Sequence, residues 1–273
     1  MKRKILLLLF LFFLIIFVHF ANGQFTPEEI AERAKWEEFL KTAEIIGHED
    51  VGEGVTKPIW LTLKKGDIVK KGLWKNPKGI QKGSLEGWQY EIAAYEMDKL
   101  LELYLIPPTV EREFNGKAGS LQFRIEKEYS ELEVFDQRIP VPPDKVDNKS
   151  NMKYITRAFD CLIGNDDRTQ QNILYTKDWR MVLIDHSRAF RSEKIHTKQL
   201  MYGKNGIKGQ MLFRRLPRKF VEKVKALTFE NIQTAVGPYL TKKEINAILA
   251  RKELLLKEIE EMIKEQGEEN VLY

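Results

Sequence analysis

The chain has 273 residues, of which 43% are hydrophobic and 31% are charged, so it is long enough for one two-lobed unit or two small domains. Its formal net charge is +5, but residues 1–23 hold three basic residues and no acidic one, which leaves 42 basic and 40 acidic side chains in the remainder. This balance argues against a strongly basic surface, and we predict no binding to nucleic acid.

Residues 1–23 have the pattern of a secretory signal peptide. An unbroken apolar run from Ile5 to Val18 follows a basic start and precedes a small-x-small cleavage motif, Ala21-Asn22-Gly23. We therefore predict a secreted or periplasmic protein that is cleaved after Gly23. The single cysteine, Cys161, suits a periplasm because it permits no internal disulfide. The apolar run is short for a membrane-spanning helix, which needs about 20 residues, but an uncleaved N-terminal anchor in contact with the membrane stays open as an alternative.

The next part of the chain is predicted to form a helix followed by strands. Thr26-Pro27-Glu28-Glu29 is a capping box with proline at the first helical position, and we expect an N-terminal helix within residues 24–44. The run of strands that starts at residue 45 ends at Lys75, which closes the third strand. The turn at residues 51–56 contains Gly52 and Gly54. Their backbone N–H groups would be able to approach a phosphate, or they simply form a hairpin turn.

The segment 88–101 has helical periodicity, and its apolar face carries Ala93, Met97, Leu100 and Leu101. Two acidic residues of this helix, Glu91 and Glu96, point in different directions. The residues alone favour a solvent-facing position for Glu91, beside Asp98 and Glu102. After this helix, strands are expected at residues 109–114 and 120–125, on either side of an Asn115-Gly116 turn.

The stretch 159–190 carries the strongest functional signal. A buried helix face ends at Gly164, a polar loop follows at residues 165–172, and two apolar runs at 173–175 and 181–184 predict a hairpin. The hairpin returns Asp185 toward Asp167 and Asn172 in the loop. Asn172 and Asp185 offer the oxygen ligands that Mg²⁺ or Mn²⁺ prefers, and Asp167 could hold an attacking hydroxyl. The alternative is that these residues only form turns, in which Asp and Asn are common.

Two segments resemble a known superfamily. The run G-N-D-D-R-T-Q-Q-N, followed by a strand and L-I-D-H-S-R-A-F, resembles the catalytic core of atypical protein-kinase-like proteins. These include the phosphatidylinositol-kinase-like branch, the bacterial persistence-toxin kinases and the secretory-pathway casein kinases of animals. The run E-I-A-A-Y-E-M-D-K-L-L, followed by I-P-P-T-V-E-R, resembles the secretory casein kinases. Thr169 departs from the pattern because histidine is usual there, and His186-Ser187 replaces the Phe-Gly of ordinary protein kinases.

The resemblance implies an α+β, two-lobed kinase-like fold. A small β-rich N-lobe with one key helix would span residues 45–128, and a mainly helical C-lobe would span residues 129–273. ATP would be bound by Gly52, Gly54, Lys75, Glu91, and a hinge that contains Glu126 and Glu128. Within this set, the alignment selects Glu91 as the partner that orients Lys75.

In the C-lobe the resemblance implies that Asp167 is the catalytic aspartate and that Asn172 and Asp185 bind Mg²⁺ or Mn²⁺. The predicted activity is an exported, ATP-dependent transfer of the γ-phosphate to a hydroxyl group of a protein or a small molecule. A catalytically inactive pseudokinase, acting as a nucleotide- or protein-binding module of the cell envelope, is the alternative.

Overall fold

The structure is a computed structural model that describes residues 25–52, 57–81 and 83–273. The predicted signal peptide, with its alternative as an anchor, lies outside the described residues, and so does Gly54. Within the described ranges no helix is both long and apolar enough to cross a membrane.

The N-terminal part of the described chain is built around an antiparallel sheet. The strands of this part of the chain are β1 (Glu44–Asp50), β2 (Ile59–Lys65), β3 (Ile68–Lys75), β4 (Lys78–Gln81), β5 (Ser84–Gly87), β6 (Thr109–Phe114) and β7 (Lys117–Phe123). Five of them form one sheet in the order β1-β2-β3-β7-β6, whereas β4 and β5 pair only with each other. Lys75 closes the third strand as predicted, and the connection from β1 to β2 contains Gly52.

Three helices accompany this sheet: α1 (Pro27–Ala31), α2 (Arg33–Thr42) and α3 (Trp88–Leu100). Thr26 forms the predicted capping box with Glu29. The single helix expected within residues 24–44 is wrong in detail, because the helix is interrupted at Glu32 and ends at Thr42. The apolar side of α2 buries Phe39 and Leu40 against one face of the sheet.

Helix α3 is held by a buried ion pair at its C-terminal end. Asp98 is fully buried, lies 3.6 Å from the Arg33 guanidinium and accepts the Leu105 N–H at 2.8 Å. Burial raises the pKa of Asp98 to about 6, although Arg33 acts in the opposite direction. The solvent-facing position favoured by the residues alone is therefore wrong for Asp98 and also for Glu91, which is 2% exposed. Both side chains face other elements, which the pattern within the helix does not reveal.

The C-terminal part is mainly helical. Its helices are α4 (Glu131–Asp136), α5 (Val146–Ile163), α6 (Lys194–Lys198), α7 (Arg218–Lys225), α8 (Phe229–Val236), α9 (Lys242–Gln266) and α10 (Glu268–Val271). A small antiparallel sheet contains β8 (Tyr129–Ser130), β9 (Ile173–Tyr175) and β10 (Met181–Leu183), in the order β10-β9-β8. Helix α5 lies at the centre and buries the predicted apolar face against α9 and the small sheet: Ile155, Ala158, Phe159, Leu162 and Ile163.

Candidate active site

A cluster of three charges, of which Lys75 and Glu91 are buried and Asp185 is partly exposed, joins three elements of the fold. The Lys75 Nζ atom, at the end of β3, lies 2.8 Å from Glu91 Oε1 in α3 and 2.8 Å from Asp185 Oδ1 after β10. Burial by itself would lower the pKa of Lys75, but the two carboxylates raise it above its ordinary value, so the side chain is cationic. The cluster therefore holds the sheet, helix α3 and the end of β10 in one arrangement.

Glu91 bridges the two halves of the molecule through both of its oxygen atoms. Its Oε1 accepts from Lys75, and its Oε2 accepts the His186 N–H at 2.9 Å. Burial acts to raise the pKa of Glu91, but Lys75 and His186 hold it well below its usual range. The structure thus brings together the residues that the resemblance selects, Lys75 and Glu91, and it places Asp185 with them.

The loop between α5 and β9 is shaped by a buried arginine. Arg168 donates to both carboxylate oxygens of Asp160, at 3.0 and 2.9 Å, and to the Ile184 carbonyl at 2.8 Å. Its Nη2 atom also lies 2.8 Å from His186 Nε2, which must accept because arginine has only donors. Burial, followed by the charge of Arg168, lowers the pKa of His186 and keeps the imidazole neutral. Arg168 is part of the motif, but the sequence pattern does not indicate its role.

We expect Asp160→Ala to lower the free energy of unfolding by about 3–5 kcal/mol, because it leaves the Arg168 charge buried without its partner. The Asp160 and Arg168 side chains are only 0% and 4% exposed. Urea unfolding of the variant measures the loss. Glu261→Ala, which removes the exposed partner of Lys257, is the control and should cost less than about 1 kcal/mol. An equal, small loss in both variants would contradict the role of Arg168.

Asp167, Asn172 and Asp185 come together around this loop. The Asn172 side chain donates to the Asp167 carbonyl at 3.1 Å, and the Ile184 N–H donates to the Asn172 carbonyl at 3.2 Å. Asn172 therefore lies beside the residue that precedes Asp185. Asp185 itself has φ 59°, a left-handed conformation that Asp and Asn adopt more readily than most residues. This backbone turn directs its carboxylate toward Lys75 instead of along the strand.

The donor set fits a divalent cation that is shared with a ligand. Among the residues described, no group of three or more His, Cys, Asp or Glu side chains could hold a metal by itself. Asn172 uses its N–H₂ group on Asp167, so its amide oxygen is the atom that remains to ligate. Together with the Asp185 carboxylate, this oxygen suits Mg²⁺ or Mn²⁺ when phosphate oxygens and water supply the remaining ligands.

Two arginines beside Asp167 and Asp166 received no role from the sequence. Arg188 Nη1 lies 3.2 Å from Asp167 Oδ2, and Arg191 Nε lies 3.1 Å from Asp166 Oδ2. Burial raises the pKa of Asp167, while the Arg188 charge counteracts this shift. In the sequence, the one indication of a role is that both arginines closely follow Asp185. Neither spacing nor periodicity reveals which carboxylate each arginine contacts.

The predicted nucleotide-binding residues outside this cluster are more scattered. Gly52 has φ 78°, and among the described residues no atom lies within 4 Å of a Cβ placed there. Glu126 lines a cavity of about 580 Å³ together with residues of β3, residues 123–125 and the β9–β10 turn, but Lys75 and Asp185 do not line it. The Glu128 N–H donates to the Tyr175 carbonyl at 2.8 Å. Of the Glu128 backbone groups, the carbonyl is therefore the one that could contact a ligand.

Comparisons with known proteins give matches at the level of structure only. No protein-family model and no curated protein matches the chain. The structure of hydra Fam20 with sugar aligns with a TM-score of 0.68 at 17% identity, covering 92% of this chain and 95% of that chain. The Golgi casein kinase with Mn/ADP bound aligns with a TM-score of 0.63 at 15% identity, covering 92% and 80%.

A bacterial protein gives a third match. The Helicobacter pylori proinflammatory kinase CtkA aligns with a TM-score of 0.53 at 10% identity, covering 84% of this chain and 97% of that chain. At these identities the similarity is evidence of fold, and the three matches agree with the resemblance seen in the sequence. The chain therefore has the two-lobed fold of the atypical protein-kinase-like proteins, with a β-sheet N-terminal part and a helical C-terminal part.

Proposed function

We propose that this protein is an ATP-dependent phosphotransferase that moves the γ-phosphate to a hydroxyl group of a protein or a small molecule. The observation that carries the proposal is the position of Lys75, which is buried and bonded to both Glu91 and Asp185. Lys75 and Glu91 are buried, and burying a charge is unfavourable unless it is closely paired, whereas the Asp185 side chain is 37% exposed and can also face a ligand. An arrangement that holds one cation between a helix and a metal-binding carboxylate suits the binding of nucleotide phosphates.

Each residue has a separate task in the proposed reaction. Lys75 binds the phosphates and Glu91 orients it, while Asn172 and Asp185 hold Mg²⁺ or Mn²⁺. The bound metal would neutralise charge on the phosphate oxygens. Asp167 orients the acceptor hydroxyl and receives its proton as the new O–P bond forms and the bond from the γ-phosphorus to the bridging oxygen breaks. Gly52, Gly54, Glu126 and Glu128 are proposed to contribute to the nucleotide site.

The matched structures suggest two classes of acceptor to test. One match was determined with sugar, and another is a casein kinase, so a sugar hydroxyl and a protein hydroxyl are both suitable test acceptors. The pattern of residues 1–23 supports export, in agreement with the Golgi location in the name of the second match. We propose a secreted or periplasmic enzyme on these grounds.

A pseudokinase is the second candidate, and the observation that favours it is Thr169, which is exposed and stands where histidine is usual. A fold kept only for binding would not need Asp167, Asn172 and Asp185 together. The presence of all three therefore supports the catalytic proposal over the binding module.

The test is transfer of ³²P from γ-labelled ATP by the full chain. Dephosphorylated casein, a set of monosaccharides and water alone serve as acceptors, each with Mg²⁺, Mn²⁺ or EDTA. We expect metal-dependent label in one acceptor, or metal-dependent release of phosphate to water. Metal-dependent nucleotide binding with no release or transfer under any condition would favour the pseudokinase.

A further inference from the structure

Arg188 lies between two carboxylates that come from distant parts of the chain. Its Nε and Nη2 atoms donate to Glu86 Oε1 at 2.9 and 2.8 Å, and its Nη1 atom lies 3.2 Å from Asp167 Oδ2. The guanidinium group is planar and rigid, so anchoring two of its nitrogen atoms determines where the third one points. Glu86 therefore sets the direction in which Arg188 meets Asp167.

Glu86 is itself firmly held. Its side chain is 2% exposed, and its second oxygen lies 3.3 Å from the Ser187 hydroxyl, whose single proton is shared with Asp185 Oδ1 at the same distance. The adjacent Gly87 N–H donates to the Ser187 carbonyl at 2.9 Å, which fastens the end of β5 to the segment after Asp185. The β4–β5 hairpin, which is outside the main sheet, thus delivers a buried carboxylate to the candidate active site.

Asp167 depends on this contact. Arg188 is the one side chain in the described part of the chain that contacts an Asp167 carboxylate oxygen, and it contacts Oδ2. The acidic side chains of Asp185, Asp166 and Glu86 also act on this carboxylate and oppose its negative charge. Asp166 is paired with Arg191. Without Arg188, the Asp167 side chain would be repelled by its neighbours and free to rotate, whereas with Arg188 it keeps Oδ1 available for an acceptor hydroxyl.

We propose that Glu86 and Arg188 are positioning residues for Asp167, with Glu86 acting through Arg188. The inference rests on the proposed phosphotransferase function, because positioning matters for the rate only if Asp167 receives the acceptor. If so, the β4–β5 hairpin contributes a positioning residue, Glu86, to the active site. Neither residue contacts Lys75 or Glu91. Glu86 is linked to Asp185 only indirectly, through the Ser187 hydroxyl that lies 3.3 Å from both carboxylates, so we expect a small effect on nucleotide binding.

The first measurement is the kinetics of ATP turnover by the full chain, with Mn²⁺ and water as the acceptor. We expect Glu86→Gln and Arg188→Gln to lower kcat by about 10²-fold, the cost of a misplaced catalytic group, while KM for ATP changes by less than about twofold. Arg188→Lys keeps the charge and should restore part of kcat. The double variant should be no slower than Arg188→Gln alone, because Glu86 acts through Arg188.

The second measurement does not require activity. Hydrogen–deuterium exchange should become faster in the loop 165–172 of Glu86→Gln and Arg188→Gln, and should stay unchanged in α9. The exposed pair Arg218–Glu268 supplies matched controls, Arg218→Gln and Glu268→Gln, which should alter neither the loop nor kcat. If exchange also rises in α9, the variant is globally destabilised. Exchange in the loop 165–172 of the charge-conserving Arg188→Lys variant then decides whether Arg188 holds the loop.

The two proposals fail in different ways. Unchanged loop exchange, or an unchanged kcat in an active protein, would overturn the positioning role of Glu86 and Arg188. A wild-type chain that neither labels any of the acceptors nor releases phosphate to water would refute the phosphotransferase proposal. In that case loop exchange alone still decides whether these two residues hold Asp167 in place.

Discussion

Replacing Asp167 with Asn is expected to abolish phosphate transfer while leaving nucleotide binding intact. The amide has nearly the same shape but cannot accept the proton of the acceptor hydroxyl, and loss of a general base costs about 10²–10⁴-fold in rate. The loop should keep its shape, because the Asn amide oxygen can still accept from Arg188 and the backbone contacts of residue 167 are unchanged: its N–H donates to Asn165 Oδ1 at 3.2 Å and its carbonyl accepts from Asn172 at 3.1 Å. Labelled phosphate transfer and the thermal shift with ATP and Mn²⁺ measure the two properties.

The matched control is Asp144→Asn, a change of the same chemistry at a side chain that is 71% exposed. It should transfer phosphate and bind nucleotide like the wild type. If Asp167→Asn retained full transfer, Asp167 would not be the residue that receives the proton. If it lost nucleotide binding as well, its role would be in the ligand site and not in the chemical step.

Replacing Asp185 with Asn is expected to remove the stabilisation that ATP gives in the presence of Mg²⁺ or Mn²⁺. A ligand at about a hundredfold excess over Kd stabilises the folded state by about 2.7 kcal/mol. The variant loses the charged metal ligand and also one of the two carboxylates that contact Lys75. Its thermal shift is therefore compared with its own ligand-free melting temperature, so that a change in intrinsic stability is not mistaken for a change in binding.

EDTA gives an independent check on the Asp185 prediction. In the wild type it should reduce the ATP-induced shift to the level seen in Asp185→Asn, because both treatments remove the metal from the phosphates. In the variant it should have no further effect. A variant that keeps the full metal-dependent shift would show that Asp185 does not hold the metal.

Several features of the fold were predictable because they depend on neighbouring residues. The capping box at Thr26, the hairpin of β9 and β10, and the end of α5 at Gly164 are local patterns, and the structure agrees with each of them. The interruption at Glu32 was not predictable from the helical pattern. It coincides with the point where Arg33 turns inward to contact Asp98, which lies in another helix.

The candidate site was predictable only in part. The motif and the hairpin placed Asp167, Asn172 and Asp185 near one another, since all three lie within nineteen residues. The choice of Glu91 over Glu96 came from the resemblance, because both are acidic residues on the same helix. In the structure Glu91 faces Lys75, and Glu96 pairs with Lys99 on the same helix.

The sequence by itself determined the local elements, the order of the motifs and the chemistry that the loop and hairpin can offer. Only the tertiary structure decided that Glu86 meets Arg188, that Arg33 meets Asp98, and that Lys75 contacts Asp185 in addition to Glu91, the partner that the resemblance selects. The physical reason is that each of these contacts joins residues from different elements. Periodicity and capping report what a residue does within its own helix or strand, whereas the partner of a buried charge is set by how those elements pack together.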